Sequence, residues 1–282
     1  MKPDKHFLNR PASFWAHVRC LSQTLGYTLR KSGEIATFNA DDIRKGMRQC
    51  DLSCEHLFDD KGMPKSDCED LILYLKLRAD LINSYVRPNL MDKEKARGLF
   101  LDLKRELNPK CPLPMNKQKG EKKTEAYLTC IVNMLIEKNS EGSPVDYDPR
   151  KLTTVVKDGI PIRTLARRID GAFPSSVNPI SVWEIKEYYN TTTFGSRVAD
   201  GVYESLLDGF ELEELRKEEG IKILHYLFVD DHYTWWELGK SYLCRLIDIL
   251  HMGYVDEVIF GKEVIERVPK LVGEWLNILR KK

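Results

Sequence analysis

Apolar residues recur along this chain with a helical period first and with mixed helical and strand periods later. From Ala12 to Leu29 they stand at Phe14, Val18, Leu21 and Leu25, the three-and-four spacing of one helix face. Asn39 is placed to cap a short helix over 40–50, with Asp41 and Asp42 favourable in its first turn. Leu71, Leu75 and Ile82 predict a helix over 68–85. A further helix over 91–107 has Asp92 near its start and Pro109 beyond its end. Residues 112–123, rich in Pro, Gly and Lys, break this texture and read as a linker or as a basic loop lying on DNA. They place a domain boundary at 115/116, with a helical region 1–115 and a second domain 116–282.

Beyond Thr124 helices and strands alternate. Leu128, Ile131, Val132 and Leu135 mark a helix over 124–139. The stretches 151–156, 163–170 and 180–189 are strand-like, the first two separated by a turn at Gly159-Ile160-Pro161. Val198, Val202, Leu206 and Phe210 predict a helix from 194 that runs on as a polar helix to Gly220. Strands over 221–229 and 254–260 and helices over 234–250 and 262–279 complete an α/β pattern.

One strand carries the candidate chemistry. In Ile180-Ser181-Val182-Trp183-Glu184-Ile185-Lys186-Glu187-Tyr188 the side chains of Glu184 and Lys186 share a face and those of Trp183 and Ile185 share the other. Asp170 ends the preceding strand-like run, and a hairpin pairing would bring its carboxylate near Glu184. Two carboxylates and an ammonium on one face suit a hard divalent cation and a phosphate oxygen. Other carboxylate-x-Lys triplets, at Asp59, Asp102 and Glu121, fall in polar loop-like or helical stretches. The plainer alternative makes Glu184 and Lys186 the solvated face of an edge strand.

Asp170, Glu184 and Lys186, in this order of elements, resemble the PD-(D/E)xK nuclease superfamily, in which type II restriction endonucleases are prominent. Ile169 stands where the superfamily often has proline. The resemblance covers residues 124–282. It implies a restriction-endonuclease-like αβββαβ core with a mixed central sheet, joined to the mainly α-helical N-terminal region. It implies Mg²⁺ held by Asp170, Glu184 and the Ile185 carbonyl. Lys186 would orient and help deprotonate the attacking water, or neutralise the phosphate. Glu125, read in the first turn of the preceding helix, is a further catalytic candidate; the alternative is a solvated glutamate favoured by the helix dipole. Ser196 and Arg197 are candidates for a backbone phosphate, against a simple cap and a surface arginine.

The expected activity is Mg²⁺-dependent, sequence-specific cleavage of double-stranded DNA to 5′-phosphate ends, as by a type II restriction enzyme. The expected assembly is a homodimer matched to a palindromic site. A repair or recombination nuclease and a non-catalytic DNA-binding regulator remain open.

Charge adds a candidate recognition surface. The 282 residues carry a net charge of +1, but residues 1–123 hold 24 basic against 17 acidic residues and the remainder 20 against 26. A basic first part suits phosphate contact, and Arg30, Lys31, Arg44, Lys45 and Arg48 are its candidate DNA contacts. Seven cysteines are expected as reduced thiols; Cys50, Cys54 and Cys68 near His56 fit no common zinc spacing. The chain has no apolar run long enough for a membrane span, no signal-peptide pattern at Met1–His6, and no P-loop glycine spacing around Gly261-Lys262. A cytoplasmic, prokaryotic setting without ATP is the corresponding expectation.

Overall fold

The N-terminal helical periodicity is realised as α1 (Ala12–Leu25), α2 (Ala40–Gln49) and α3 (Ser66–Leu81). A π turn, Ile82–Val86, follows α3 and leads into the single turn α4 (Arg87–Asn89). The computed structural model describes residues 1–29, 32–189 and 195–281. Asn39 caps α2 as its sequence predicts: its side chain accepts from the Asp42 amide at 2.9 Å, and Asp42 accepts from the Asn39 amide at 3.0 Å. After α4 come α5 (Lys93–Leu107), α6 (Tyr127–Asn139), β1 (Asp146–Tyr147), β2 (Thr154–Lys157), β3 (Ile160–Thr164), β4 (Gly171–Phe173) and β5 (Ser181–Glu187). The chain continues through α7 (Ser196–Glu219), β6 (Leu224–Asp230), a π turn at Tyr233–Leu238, α8 (Lys240–His251), β7 (Glu257–Phe260) and α9 (Val264–Leu279).

These elements fall into two units. One comprises Pro3–Pro88 with Gly239–Gly253; the other comprises Met1–Lys2, Asn89–Leu238 and Tyr254–Lys282. The division therefore lies at Pro88/Asn89 rather than at 115/116. The reason is packing: Ala96 and Phe100 of α5 are buried in one core with Tyr127, Leu128 and Ile131 of α6. The expected single helix over 234–250 is likewise two pieces. Gly239 separates them, and α8 belongs with the N-terminal helices.

The first unit is helical. Phe14, Val18 and Leu21 of α1, Ile43 and Met47 of α2, and Leu71, Tyr74 and Leu75 of α3 form its core. Arg78 of α3 is fully buried and forms an ion pair with Asp248 of α8 at 3.1 Å.

The second unit is an α/β sandwich around a mixed five-stranded sheet of order β1-β4-β5-β6-β7. Neighbours β1, β4 and β5 are antiparallel; β5, β6 and β7 are parallel. Trp183 of β5 faces a core built with α5, α6 and α9, where its ring stacks on Trp275 with centroids 5.4 Å apart. Val182, on the opposite face, packs with Leu212 and Leu215 of α7. Two strand expectations change. The run 151–156 gives β2, but its partner β3 takes in Ile160 and Pro161 of the expected turn and ends at Thr164, leaving 165–170 irregular. The strands β2 and β3 form a separate hairpin outside the main sheet, and β1 and β4 supply the sheet's antiparallel side. Among the described residues no helix is long and apolar enough to cross a membrane.

Gly171 opens β4 because nothing larger fits. A Cβ there would lie 2.1 Å from the Trp183 indole. Gly171→Ala is expected to destabilise the protein by about 3 kcal/mol, since the buried ring must leave its place against Trp275. Urea unfolding of native and variant protein checks this.

Candidate functional site

The strand β5 is the third of five and is hydrogen-bonded on both sides, which rules out an edge strand. Glu184 is 0% and Lys186 6% exposed, so this charged face is interior. Burial of charge is costly unless each charge is paired, and here the pairing is dense. Lys186 Nζ donates to Glu184 Oε2 at 2.7 Å and to Glu204 Oε2 at 3.0 Å. The room for the lysine comes from α7: a Cβ on Gly201 would stand 3.3 Å from Lys186 Cδ and 2.7 Å from the Tyr188 hydroxyl.

Asp170 immediately precedes β4. The register pairs Gly171 with Trp183, and continuing it by one residue sets Asp170 across from Glu184. Its Oδ2 accepts the Ile185 amide at 2.8 Å. The N–H and C=O of one strand residue point to the same side, so the Ile185 carbonyl is directed toward the Asp170 side of the strand.

Arg167 joins this cluster. Its Nη1 lies 2.7 Å from Asp208 Oδ2 and 3.0 Å from Glu184 Oε1, and its Nη2 lies 3.2 Å from Glu204 Oε2. Three carboxylates, Glu184, Glu204 and Asp208, thus share two cations, with Asp170 beside them. The resulting shifts follow from burial and neighbours. Burial, then the Glu184 charge, pushes Asp170 up to about 6 and Asp208 up to about 7. Burial also disfavours the Glu184 charge, but Lys186 and Arg167 outweigh it and hold that carboxyl below its usual range. Burial works against the Lys186 charge too, yet Glu184 and Asp170 raise its pKa above the usual lysine range.

Oxygen donors suited to Mg²⁺ are present in Asp170, Glu184 and the Ile185 carbonyl. The Glu184 Oε1 and Asp208 Oδ1 atoms are buried without a hydrogen-bond partner. The residues fit the ion in kind. No group of three His, Cys, Asp or Glu side chains is assembled as a metal set among the described residues, Cys50, Cys54, Cys68 and His56 included. Asp170 also lines an open cleft of about 630 Å³ with Thr129, Asn133, Asp146, Asp148, Arg150 and Lys151.

Other expected site residues lie elsewhere or have other work. Glu125 precedes α6 instead of standing in its first turn, and pairs in a β-bridge with Met115. Among the described residues no hydrogen bond or ion pair joins it to Asp170, Glu184 or Lys186. The α6 N-terminus is held by Glu187, which accepts the Leu128 amide at 3.0 Å and the Thr129 hydroxyl at 2.6 Å. Ser196 and Arg197 begin α7 with exposed side chains, and Tyr188 donates to the Arg197 carbonyl at 3.2 Å. Gly195, not Ser196, is the N-cap residue, and among the described residues no side chain caps this helix. Arg30 and Lys31, like Thr191–Phe194, lie outside the described residues. Arg44 is committed within its unit, donating to the Gly62 carbonyl at 2.8 Å and lying 4.1 Å over the Phe58 ring. Lys45 and Arg48 are exposed beside it.

The cluster members absent from the sequence reading are Arg167, Glu204 and Asp208. One signal was available: the buried stripe of α7 runs Val198, Gly201, Val202, Ser205, Asp208, Gly209, Leu212, with an aspartate among small and apolar residues.

Asp230, at the C-terminal end of β6, is a separate buried carboxyl. It accepts the Met91 amide at 2.7 Å, the Asp231 amide at 2.9 Å and the Tyr189 hydroxyl. Burial chiefly pushes it up to about 8. Its folded pKa exceeds the unfolded value, so its ionisation costs stability progressively as pH rises from about 4 to about 8. Asp230→Asn removes that titration and keeps an acceptor for the amides. Relative to native protein, the variant is expected to gain about 1 kcal/mol or more between pH 5 and pH 8, read from urea unfolding at each pH. The neighbouring Trp235 and Trp236 are buried in the core.

Two family models match the chain: one described as Domain of unknown function (DUF7687) over residues 91–275, and one described as Domain of unknown function (DUF7690) over residues 1–85. Their boundary falls with the division between the two compact units. No curated protein and no solved structure matches the chain.

Proposed function

We propose that this chain, which belongs to the family described as domain of unknown function DUF7687, is a Mg²⁺-dependent endonuclease of the PD-(D/E)xK type acting on double-stranded DNA. The observation that carries the reading is the interior pairing of Glu184 and Lys186 on a central strand, with Asp170 opposite Glu184 and bound to the Ile185 amide. The order helix, antiparallel strands, helix, parallel strand around that pair supports a restriction-endonuclease-like core.

Asp170, Glu184 and the Ile185 carbonyl would hold the ion. When bound, Mg²⁺ supplies a hydroxide-forming water and a Lewis acid for the phosphate. Beside Glu184 the Lys186 charge is favoured, which suits neutralising phosphate charge and orienting the attacking water. The cleft beside Asp170 gives access, with Arg150 and Lys151 on its lining for the phosphate backbone. Sequence specificity, assembly as a homodimer and a restriction role are part of the same proposal.

A non-catalytic DNA-binding reading has one observation in its favour: Arg167 already balances the Glu184 and Asp208 charges. Incubating the native chain with a long, varied duplex DNA and Mg²⁺ separates the readings. Discrete fragments with 5′-phosphate ends are expected. A smear would indicate a nuclease without sequence preference, as in repair or recombination, and binding without cleavage in Mg²⁺ or Mn²⁺ would favour the regulator.

A further inference from the structure

We infer that Arg167 is an internal stand-in for the divalent cation, a positioning residue that must release Glu184 before the Asp170–Glu184 pair takes a metal ion. This rests on the proposed metal-dependent reading and adds to it a residue and a step.

The guanidinium occupies the space between three carboxylates. It contacts Glu184 at 3.0 Å, Asp208 at 2.7 Å and Glu204 at 3.2 Å. The two kinds of contact with Glu184 differ in quality. Nη2 donates a hydrogen bond to Oε2 at 3.2 Å, whereas Oε1 has no hydrogen-bond partner despite its ion pair with Nη1. Asp208 is fully buried and receives the shortest bond of the set. Arg167 is therefore anchored at Asp208 and held more loosely at Glu184. Lys186 also holds Glu184, through Oε2, and among the described residues the ion pair at Oε1 is with Arg167.

Arg167 lies on the irregular segment between β3 and Asp170, three residues from the aspartate, and its side chain is 23% exposed. A turn of the guanidinium about its Asp208 anchor opens Oε1 without breaking a strand. No bond is made or broken covalently; one counter-charge replaces another.

Mn²⁺ titration of the full chain, followed by the loss of the free-ion electron paramagnetic resonance signal, tests this without any cleavage assay. Arg167→Ala is expected to bind Mn²⁺ roughly ten- to hundredfold more tightly than native protein, because a charge-assisted competitor has been removed. Adding Glu184→Gln to Arg167→Ala is expected to abolish the gain. The melting temperature of Arg167→Ala should fall in chelator and recover more on Mn²⁺ addition than that of native protein. If Arg167→Ala fails to fold, Arg167→Gln is read in the same titration with the same expected direction. Native binding with equal or weaker binding in the Arg167 variant overturns the stand-in role alone. Absence of Mn²⁺ binding in both native and variant chains overturns the metal-dependent reading itself.

Discussion

Glu184→Gln is expected to reduce Mg²⁺-dependent DNA cleavage by about 10³-fold or more. The substitution keeps the volume of a side chain that is wholly buried on β5 and removes only its charge. That charge is the common partner of Lys186 at 2.7 Å and Arg167 at 3.0 Å, and one of the two carboxylates offered to the cation. Without it the metal loses a ligand and Lys186 loses the contact that fixes its ammonium. DNA affinity should stay within about threefold, because phosphate contacts on the surface set binding strength. Single-turnover cleavage and a gel-shift titration on the same duplex separate the two quantities. Equal losses in both would indicate a folding defect, which the unfolding curve of the variant would show.

The largest expected effect on stability lies in the helical unit. Asp248→Ala is expected to cost about 3–5 kcal/mol, because it strands a buried guanidinium. Arg78 is fully buried, bonded to both Asp248 oxygens at 3.1 Å and to Ser22 Oγ at 2.9 Å. Tyr74 donates to the same carboxylate at 2.6 Å. The penalty arises from the unpaired charge and not from the loss of a favourable pair. A double substitution, Arg78→Met with Asp248→Leu, is therefore expected to recover most of it. Urea denaturation of the native, single and double variants checks both halves of the argument. A double variant as unstable as the single one would mean that the pair contributes more than it costs to bury.

Much of the helical scaffold was legible because its signals are local. Asn39 caps α2, Gly220 ends α7 in a left-handed conformation, and the apolar stripes of α1, α3 and α6 became core. The alternation along β5 placed Glu184 and Lys186 on one face. What the sequence left unread depends on distant partners. The β2–β3 hairpin has the same local texture as the sheet strands, and only tertiary packing separates the two. Burial of Glu184 and Lys186 depends on β5 being central, which no period-two pattern reveals. Arg167, Glu204 and Asp208 meet Glu184 only when α7 folds back on the sheet. Glu125 was assigned by its nearness to a helix start; the cap that α6 receives comes from Glu187, some sixty residues away in the chain. The boundary at Pro88/Asn89 was masked by continuous helical periodicity through α3 and α5.

The most direct test of the proposed cleavage centre is a side-by-side assay of native, Asp170→Asn, Glu184→Gln and Lys186→Ala chains on one varied duplex DNA, with Mg²⁺ and with chelator. Cleavage by native protein in Mg²⁺ alone, lost in all three variants while each remains folded, is the result predicted here. Cleavage retained by any folded variant, or no cleavage by native protein in Mg²⁺ or Mn²⁺ under conditions where it binds DNA, would contradict it.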